Sequence, residues 1–218
     1  MTRNLKVLGL ALVAVLAMSA TMTSAASAAP HNGKTAFTSD KDTTHVSANQ
    51  TTTYKLKITN SEFVCEEVSF TGHVVAKTVT QVTIRPVFTG CSVSFIGIKV
   101  NGTVTGFGHH GEEKYCDFLV RANGTVDLVC PPGMEVTIHS GTCVMHIPPQ
   151  TNLGTVTYTD EGNHLKASTN ITGITTNHTD PFGCPLTSGG HGTDGTLIGS
   201  STVSGRDQFG AMANLGIH

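Results

Sequence analysis

Short β-branched and apolar runs, separated by glycine, asparagine and proline, dominate the chain from Tyr54 onward. No window sustains the i, i+3, i+4, i+7 spacing of an amphipathic helix over ten residues. The pattern therefore predicts strands. Besides those next to the turns described below, they are expected at Tyr54–Thr59, Val64–Phe70, Val74–Val87, Cys91–Phe95, Gly154–Thr159, His164–Thr172 and Thr196–Val203.

Turn dipeptides predict how other strands connect. Asn101-Gly102 and Asn123-Gly124 each lie between β-branched runs, and Asn-Gly favours the positive φ of a two-residue hairpin turn. Pro131-Pro132-Gly133 and Ser140-Gly141 indicate two further reversals, so the segments between Phe118 and Ile147 are expected to form a meander. About a dozen short antiparallel strands predict an all-β fold, either a single β-sandwich or a partly open barrel.

The N-terminus has the pattern of an export signal. Arg3 and Lys6 precede an apolar run from Val7 to about Ala17, and an A-x-A site follows. This predicts a signal peptide at residues 1–28, cleaved after Ala28. The apolar run is shorter than the roughly 20 residues that span a bilayer, so we expect a secreted, extracellular chain with no membrane span in its mature form.

The remaining chain divides at a change of composition. Residues 29–53 are rich in Thr, Ser and Asn and show little apolar periodicity, which predicts a flexible leader that holds at most one short edge strand. Residues 54–218 are expected to form one all-β domain, with the tail after about residue 205 left unassigned. The 13% of charged residues and the net charge of −2 provide no basic surface for nucleic acid. The 24 Gly and 34 Thr, with no Trp, are typical of an extracellular β protein.

Six cysteines follow the predicted cleavage site and, in an exported chain, predict three disulfides. A two-residue turn at Asn123-Gly124 would place Asp117 opposite Cys130, so Cys116 and Cys130 would point to opposite faces of the sheet. The Asn101-Gly102 hairpin would bring Cys91 close to Cys116. The expected pairs are Cys91–Cys116, Cys130–Cys143 across a bend at the prolines and, by elimination, Cys65–Cys184.

Histidine clusters in one segment, which also carries the candidate ligand residues. The run His109-His110-Gly111-Glu112-Glu113 combines imidazole and carboxylate groups, which suit Zn, Cu or Ni. Both histidines could reach one ion only from a loop, because neighbouring residues on a strand face opposite sides. We interpret the segment as a solvated polar loop, with a metal site as the alternative, and expect no cofactor. Tyr115 is the candidate aromatic platform for a carbohydrate.

Several runs resemble segments of uncharacterised exported, six-cysteine, β-rich proteins of actinobacteria. They are Val64–Gly72, Gly124–Pro131, Gly141–Val144, and Pro149-Gln150 followed by Val156-Thr157-Tyr158. The resemblance covers about residues 60–205 and implies an exported β protein held by disulfides. No activity is known for that group, so the resemblance implies no site residues.

The functional expectation rests mainly on compartment and fold. The sequence contains no G-x-S-x-G, H-E-x-x-H, P-loop or dinucleotide-binding pattern, and we predict no enzymatic activity. The protein is expected to act through its surface, at the cell envelope or on an extracellular partner. The alternative is an extracellular ligand-binding module, for carbohydrate or metal, or a hydrolytic module, built on the loop of His109 and His110.

Overall fold

The computed structural model describes residues 33–58, 61–95, 98–107, 115–178 and 191–218, and within them sixteen β-strands and no helix. Every strand pair is antiparallel. The all-β prediction is confirmed. The strands are β1 (Phe37–Ser39), β2 (Thr44–Ile58), β3 (Ser61–Val74), β4 (Thr78–Val79), β5 (Gln81–Phe95), β6 (Ile98–Thr105), β7 (Asp117–Arg121), β8 (Val126–Val129), β9 (Val136–Ser140), β10 (Cys143–Ile147), β11 (Gln150–Leu153), β12 (Thr155–Asp160), β13 (Leu165–His178), β14 (His191–Arg206), β15 (Met212–Ala213) and β16 (Leu215–Ile217).

Eight strands close into a barrel, in the order β5-β3-β2-β14-β13-β10-β9-β6, and β6 pairs back to β5. β6 completes the ring because its first four residues pair with β5 and its last four with β9. Of the two predicted architectures the structure therefore has a barrel, and it is closed rather than partly open. Closure gives hydrogen-bond partners to strands that would be edges in a sandwich.

Two long strands change partners along their length and carry additional strands outside the ring. The start of β5, Gln81–Ile84, pairs with β7, and β8 and β11 continue the sheet from there. The start of β13, Leu165–Asn170, pairs with β12 before the end of β13 reaches β10. β15 adds to the end of β14.

A separate three-stranded sheet, in the order β16-β1-β4, covers one end of the barrel. It supplies Phe37, Leu215 and Ile217 to a second hydrophobic core, where they pack with Val46 and Leu165 of the barrel strands. The larger core lies in the rest of the interior. Together β1 and β16 tie both ends of the described chain to the same rim.

The segment expected to be a flexible leader is instead part of the sheets. Described residues before Tyr54 form β1 and the first ten positions of β2. Along Thr44–Asn49, Thr44, Val46 and Ala48 are buried while the residues between them are exposed. A strand with one solvated face needs an apolar residue only at every second position, which is why this polar segment still forms a strand. The tail after residue 205 likewise contributes β15 and β16.

Asn101-Gly102 lies inside β6, so the predicted hairpin at this dipeptide is wrong. The strand passes straight through it while changing partner from β5 to β9. A Cβ on Gly102 would lie 3.0 Å from a ring carbon of Phe63 and 3.3 Å from the carbonyl oxygen of His139. Gly102 therefore permits a close approach in the barrel wall and does not serve a turn.

The Asn123-Gly124 hairpin forms, but its loop has three residues instead of two. The observed register pairs Asp117 with Val129, and the Arg121 N–H donates to the carbonyl of Thr125 at 2.9 Å. Gly124 has φ 93°, as expected for a three-residue loop that ends in the left-handed region. The added loop residue shifts the pairing by one position, which changes which residues share a face.

The one-residue shift overturns the expected disulfide pattern. Continuing the observed register places Cys116 opposite Cys130, and they form a disulfide. Cys65 and Cys91 are direct partners across β3 and β5 and form another. Cys91–Cys116, Cys130–Cys143 and Cys65–Cys184 are therefore wrong. Cys143 is also disulfide-bonded, while Cys184 lies outside the described residues.

The predicted meander is only partly confirmed. β7 pairs with β8, and β9 pairs with β10 across the Gly141-Thr142 turn, where Gly141 has φ 60°. β8 and β9 do not pair with each other, because β8 pairs with β7 and β11 and β9 pairs with β6 and β10. The Pro131–Gly133 turn thus carries the chain from an outer branch into the barrel ring, which leaves Cys130 and Cys143 in different parts of the sheet.

Candidate functional site

Of the predicted ligand residues around His109 and His110, the structure describes only Tyr115. His109, His110, Glu112 and Glu113 lie outside the described residues. Tyr115 packs face-on against the Arg85 guanidinium, with 3.3 Å between Arg85 Cζ and the ring centroid. One face of this ring is thus covered, so Tyr115 supports a charged side chain on that face and does not offer it as an open platform for a sugar.

The described residues contain no group of three or more His, Cys, Asp or Glu side chains that could hold a metal ion. The metal alternative concerned His109 and His110, which are outside this range, so it stays an untested alternative. The expectation that no cofactor is bound likewise stays a prediction.

A surface depression of about 800 Å³ crosses the outer faces of β14, β2, β3, β5 and β7. We call it the outer groove. Its lining side chains alternate with the core residues of the same strands, because successive residues point to opposite faces. Outward-facing polar residues from five strands therefore converge on one face.

A row of three basic side chains crosses the outer groove. Arg206 is the register partner of His45, and His45 is the partner of His73. All three are exposed, and the two imidazole rings lie with centroids 4.5 Å apart. The Arg206 guanidinium donates from Nη1 to the carbonyl of Gly210 at 2.9 Å, which orients it across the turn that follows β14. We call these three residues the basic row.

A second row runs parallel to the basic row, two residues further along each strand and so about 7 Å away. Ser47 pairs with Thr71, and Thr71 pairs with Arg85. Arg85 Nε donates to Asp117 Oδ1 at 3.2 Å, so its charge is balanced within the groove. Arg206 donates to a backbone carbonyl instead and keeps its net positive charge. The groove thus combines hydroxyl groups, imidazoles and a guanidinium that is not paired with a carboxylate of the described residues.

Another group of histidines lies at the far ends of β13 and β14, away from the outer groove. Burial lowers the pKa of His178, and the neighbouring His146 and His191 lower it further. His146 Nδ1 lies 2.6 Å from Glu135 Oε1, and His191 Nδ1 lies 2.8 Å from the Asn177 side-chain oxygen. The arrangement disfavours the imidazolium form of His178 and makes this end of the barrel sensitive to acid.

The sequence did not point to the basic row. His45 lies in the segment expected to be a flexible leader, and Arg206 lies in the unassigned tail. The alternation of apolar Val46 and Ala48 with polar residues was the available signal, because it places His45 and Ser47 on the solvated face. The partnership with His73 depends on long-range strand order, which no local pattern contains.

Comparisons with known proteins do not assign a function to this chain, so the proposals below rest on its sequence and structure. No protein-family model, curated protein or solved structure matches this chain. The resemblance to exported actinobacterial proteins, and the bacterial origin that it implies, therefore stay predictions. Within the described ranges, no helix is long and apolar enough to cross a membrane.

Proposed function

We propose that this chain is a secreted, non-enzymatic binding protein that acts through its outer surface, at the cell envelope or on an extracellular partner. Secretion is supported by the signal-peptide pattern of residues 1–28, which lie outside the described range. The disulfide-bonded state of the five described cysteines also fits an oxidising compartment.

The outer groove is the observation that carries the proposal. Its volume falls within the range of about 300–1,000 Å³ that is usual for ligand sites. The Arg206 guanidinium of the basic row donates to a backbone carbonyl and forms no ion pair with a carboxylate of the described residues, and Ser47 and Thr71 add hydroxyl groups beside it. Charge complementarity therefore favours a partner that presents carboxylate or phosphate groups, such as an acidic polymer of the cell envelope.

Direct binding to polymers of defined charge tests this proposal. The mature chain should bind immobilised polygalacturonate or poly(glycerol phosphate) and should not bind neutral dextran. Rising salt should weaken binding, since screening reduces attraction between exposed charges. An Arg206→Gln/His45→Gln/His73→Gln variant should bind about fivefold to tenfold more weakly, because it loses the Arg206 charge and two imidazole hydrogen-bonding groups.

Lys166→Gln is the charge-matched control, because Lys166 is exposed on β13 and does not line the outer groove. Its affinity should equal that of the native chain. Thermal melting of all variants separates loss of binding from loss of fold. The proposal fails if the native chain binds neither acidic polymer, or if Lys166→Gln weakens binding as much as the basic-row variant.

A further inference from the structure

An apolar cavity of about 100 Å³ lies inside the barrel, next to the sheet of β16, β1 and β4. A smaller apolar cavity of about 50 Å³ adjoins it, and the side chains of Tyr54, Phe118 and Leu197 line both. An engineered protein cavity of about 150 Å³ with an apolar lining is large enough to bind benzene. The larger cavity has about two thirds of that volume, so one small ring is the upper limit of what it could hold.

Two tyrosine residues line the larger cavity, and the hydroxyl of only one of them is paired among the described residues. Tyr54 Oη is 2.8 Å from Ser201 Oγ and 3.3 Å from Thr169 Oγ1. The Tyr158 hydroxyl is buried and has no hydrogen-bond partner among the described residues. Its ring is held edge-on against Phe37, with centroids 5.2 Å apart. A buried hydroxyl left unpaired is costly, so native structures nearly always satisfy one.

We propose that the barrel interior binds a small, mainly apolar ring or short-chain compound carrying one hydroxyl or carbonyl oxygen, which hydrogen-bonds to the Tyr158 hydroxyl. The apolar lining selects the body of such a ligand, and the single polar group fixes its orientation, as in most small-molecule sites. This site differs from the outer groove, since most of its lining lies on the inner faces of the strands and the ligand needs no charge, although Val46, Thr71 and Val82 border both.

The cavity environment favours an organic ligand over a bound water molecule. A buried water usually makes two to four hydrogen bonds. Tyr54 Oη already bonds to Ser201 and Thr169, and among the described cavity-lining side chains the buried, unpaired hydroxyl is that of Tyr158. The sheet of β16, β1 and β4 lies over the larger cavity and is joined by short pairings, two residue pairs between β1 and β4 and three between β1 and β16. We expect a ligand to enter by displacing this sheet.

Phenol and benzene are the probes, because they share a ring and differ by one hydroxyl. Calorimetric titration of the full mature chain should show that both bind and that phenol binds more tightly. Tyr158→Phe removes only the hydroxyl and should weaken phenol about threefold to tenfold while leaving benzene unchanged. Ala167→Leu places a larger side chain into the cavity lining, opposite Tyr158 in the register, and should abolish binding of both probes.

Tyr115→Phe is the matched control, since it removes a tyrosine hydroxyl outside the cavity, and it should leave both affinities unchanged. Circular dichroism confirms that each variant is folded. The NMR chemical shifts of methyl groups that line the cavity, such as those of Val120 and Ile171, report binding independently of the calorimetric titration. The proposal is overturned if neither probe binds the native chain, if Tyr158→Phe weakens both probes equally, or if the cavity methyl groups do not respond.

Discussion

Asp127 is the one charged side chain that is buried among the described residues, with 5% of its surface exposed. Its carboxylate accepts hydrogen bonds from Arg121 Nη2 at 2.6 Å and from the Asn152 N–H at 2.8 Å. Burial alone would raise its pKa, but these two donors outweigh burial and lower the pKa below its usual 3.8. One carboxylate thereby connects β7, β8 and the start of the β11–β12 bend.

We expect Asp127→Asn to lower the free energy of unfolding by about 1–3 kcal/mol, since it weakens two charge-assisted hydrogen bonds in a buried position. Urea denaturation measures the change. Asp42→Asn is the control, because the Asp42 side chain is 91% exposed and 3.7 Å from Lys77; it should change stability by less than about 0.5 kcal/mol.

The stabilisation from Asp127 is present above pH 3.8 and is lost as the pH falls below that value, because the unfolded carboxylate is protonated first. Equal losses in the two variants would contradict the assignment.

We also expect the stability of the fold to depend on pH through His178, at higher pH than for Asp127. Because burial and nearby histidines lower its pKa in the folded state, the unfolded chain takes up this proton first as the pH falls below the usual 6.5. Stability should therefore decrease between about pH 7 and pH 5. His178→Gln should flatten this decrease, as followed by thermal melting across pH, whereas His139→Gln at an exposed position on β9 should leave it in place.

At the scale of elements, strand existence was predictable and strand pairing was not. The β-branched runs correctly placed most strands because their residues fit a half-buried pleated surface. The two Asn-Gly dipeptides illustrate the limit: one forms a three-residue loop and the other lies within β6. Local chemistry permits a turn at Asn101-Gly102, but the pairing of β6 with β5 on one side of the dipeptide and with β9 on the other keeps the strand extended there. The outer groove depends on such pairings, so the sequence could not locate it.

Gly154 joins β11 to β12 against the backbone of β13. Its φ is 32°, and a Cβ there would overlap Ile171 Cα and lie 2.5 Å from the Thr172 nitrogen. We expect Gly154→Ala to cost more than about 3 kcal/mol, since backbone atoms cannot move aside as side chains do. Gly162→Ala is the control, because Gly162 has φ 91° with nothing within 4 Å of the added carbon; it should cost about 1 kcal/mol. Chemical denaturation compares the two, and similar costs would refute a special role for the close approach.

The disulfides provide a direct check of the strand register. Peptide mapping without reduction should recover Cys65 joined to Cys91 and Cys116 joined to Cys130. Cys143 should be recovered with Cys184, the one cysteine left for it. Replacing Cys116 and Cys130 together by Ala should lower stability by about 3 kcal/mol, since the bridge closes a loop of about 15 residues. A recovered Cys130–Cys143 peptide would refute the register.

At the scale of the whole molecule, the barrel separates two kinds of surface. Its wall carries the outer groove, and its interior carries the apolar cavities beneath the small sheet. Residues on one strand serve both, because Val46 faces the cavity while its neighbours His45 and Ser47 face the groove. Substitutions at exposed odd positions of β2 can thus alter surface binding without altering the cavity lining.

Export of the whole chain also makes a measurable prediction. When the full-length protein is expressed in a bacterial host and collected from the medium, its N-terminal residue should be Ala29, since cleavage is predicted after Ala28. Intact mass and N-terminal sequencing measure this. Replacing the small residues Ala26 and Ala28 by bulky ones should retain the unprocessed chain in the cells. Release of a chain that begins at Met1 would contradict the export prediction.

The contact between β1 and β16 has a topological consequence. The Ala36 N–H donates to the His218 carbonyl at 3.0 Å, so the first and last described strands run side by side. A short linker could join these ends while the chain is cut at Pro132-Gly133, an exposed turn between two strands that do not pair. The resulting circular permutant would retain every strand pair of the barrel. We therefore expect the barrel to depend on the order in which the strands follow one another around the closed chain, and not on which strand comes first.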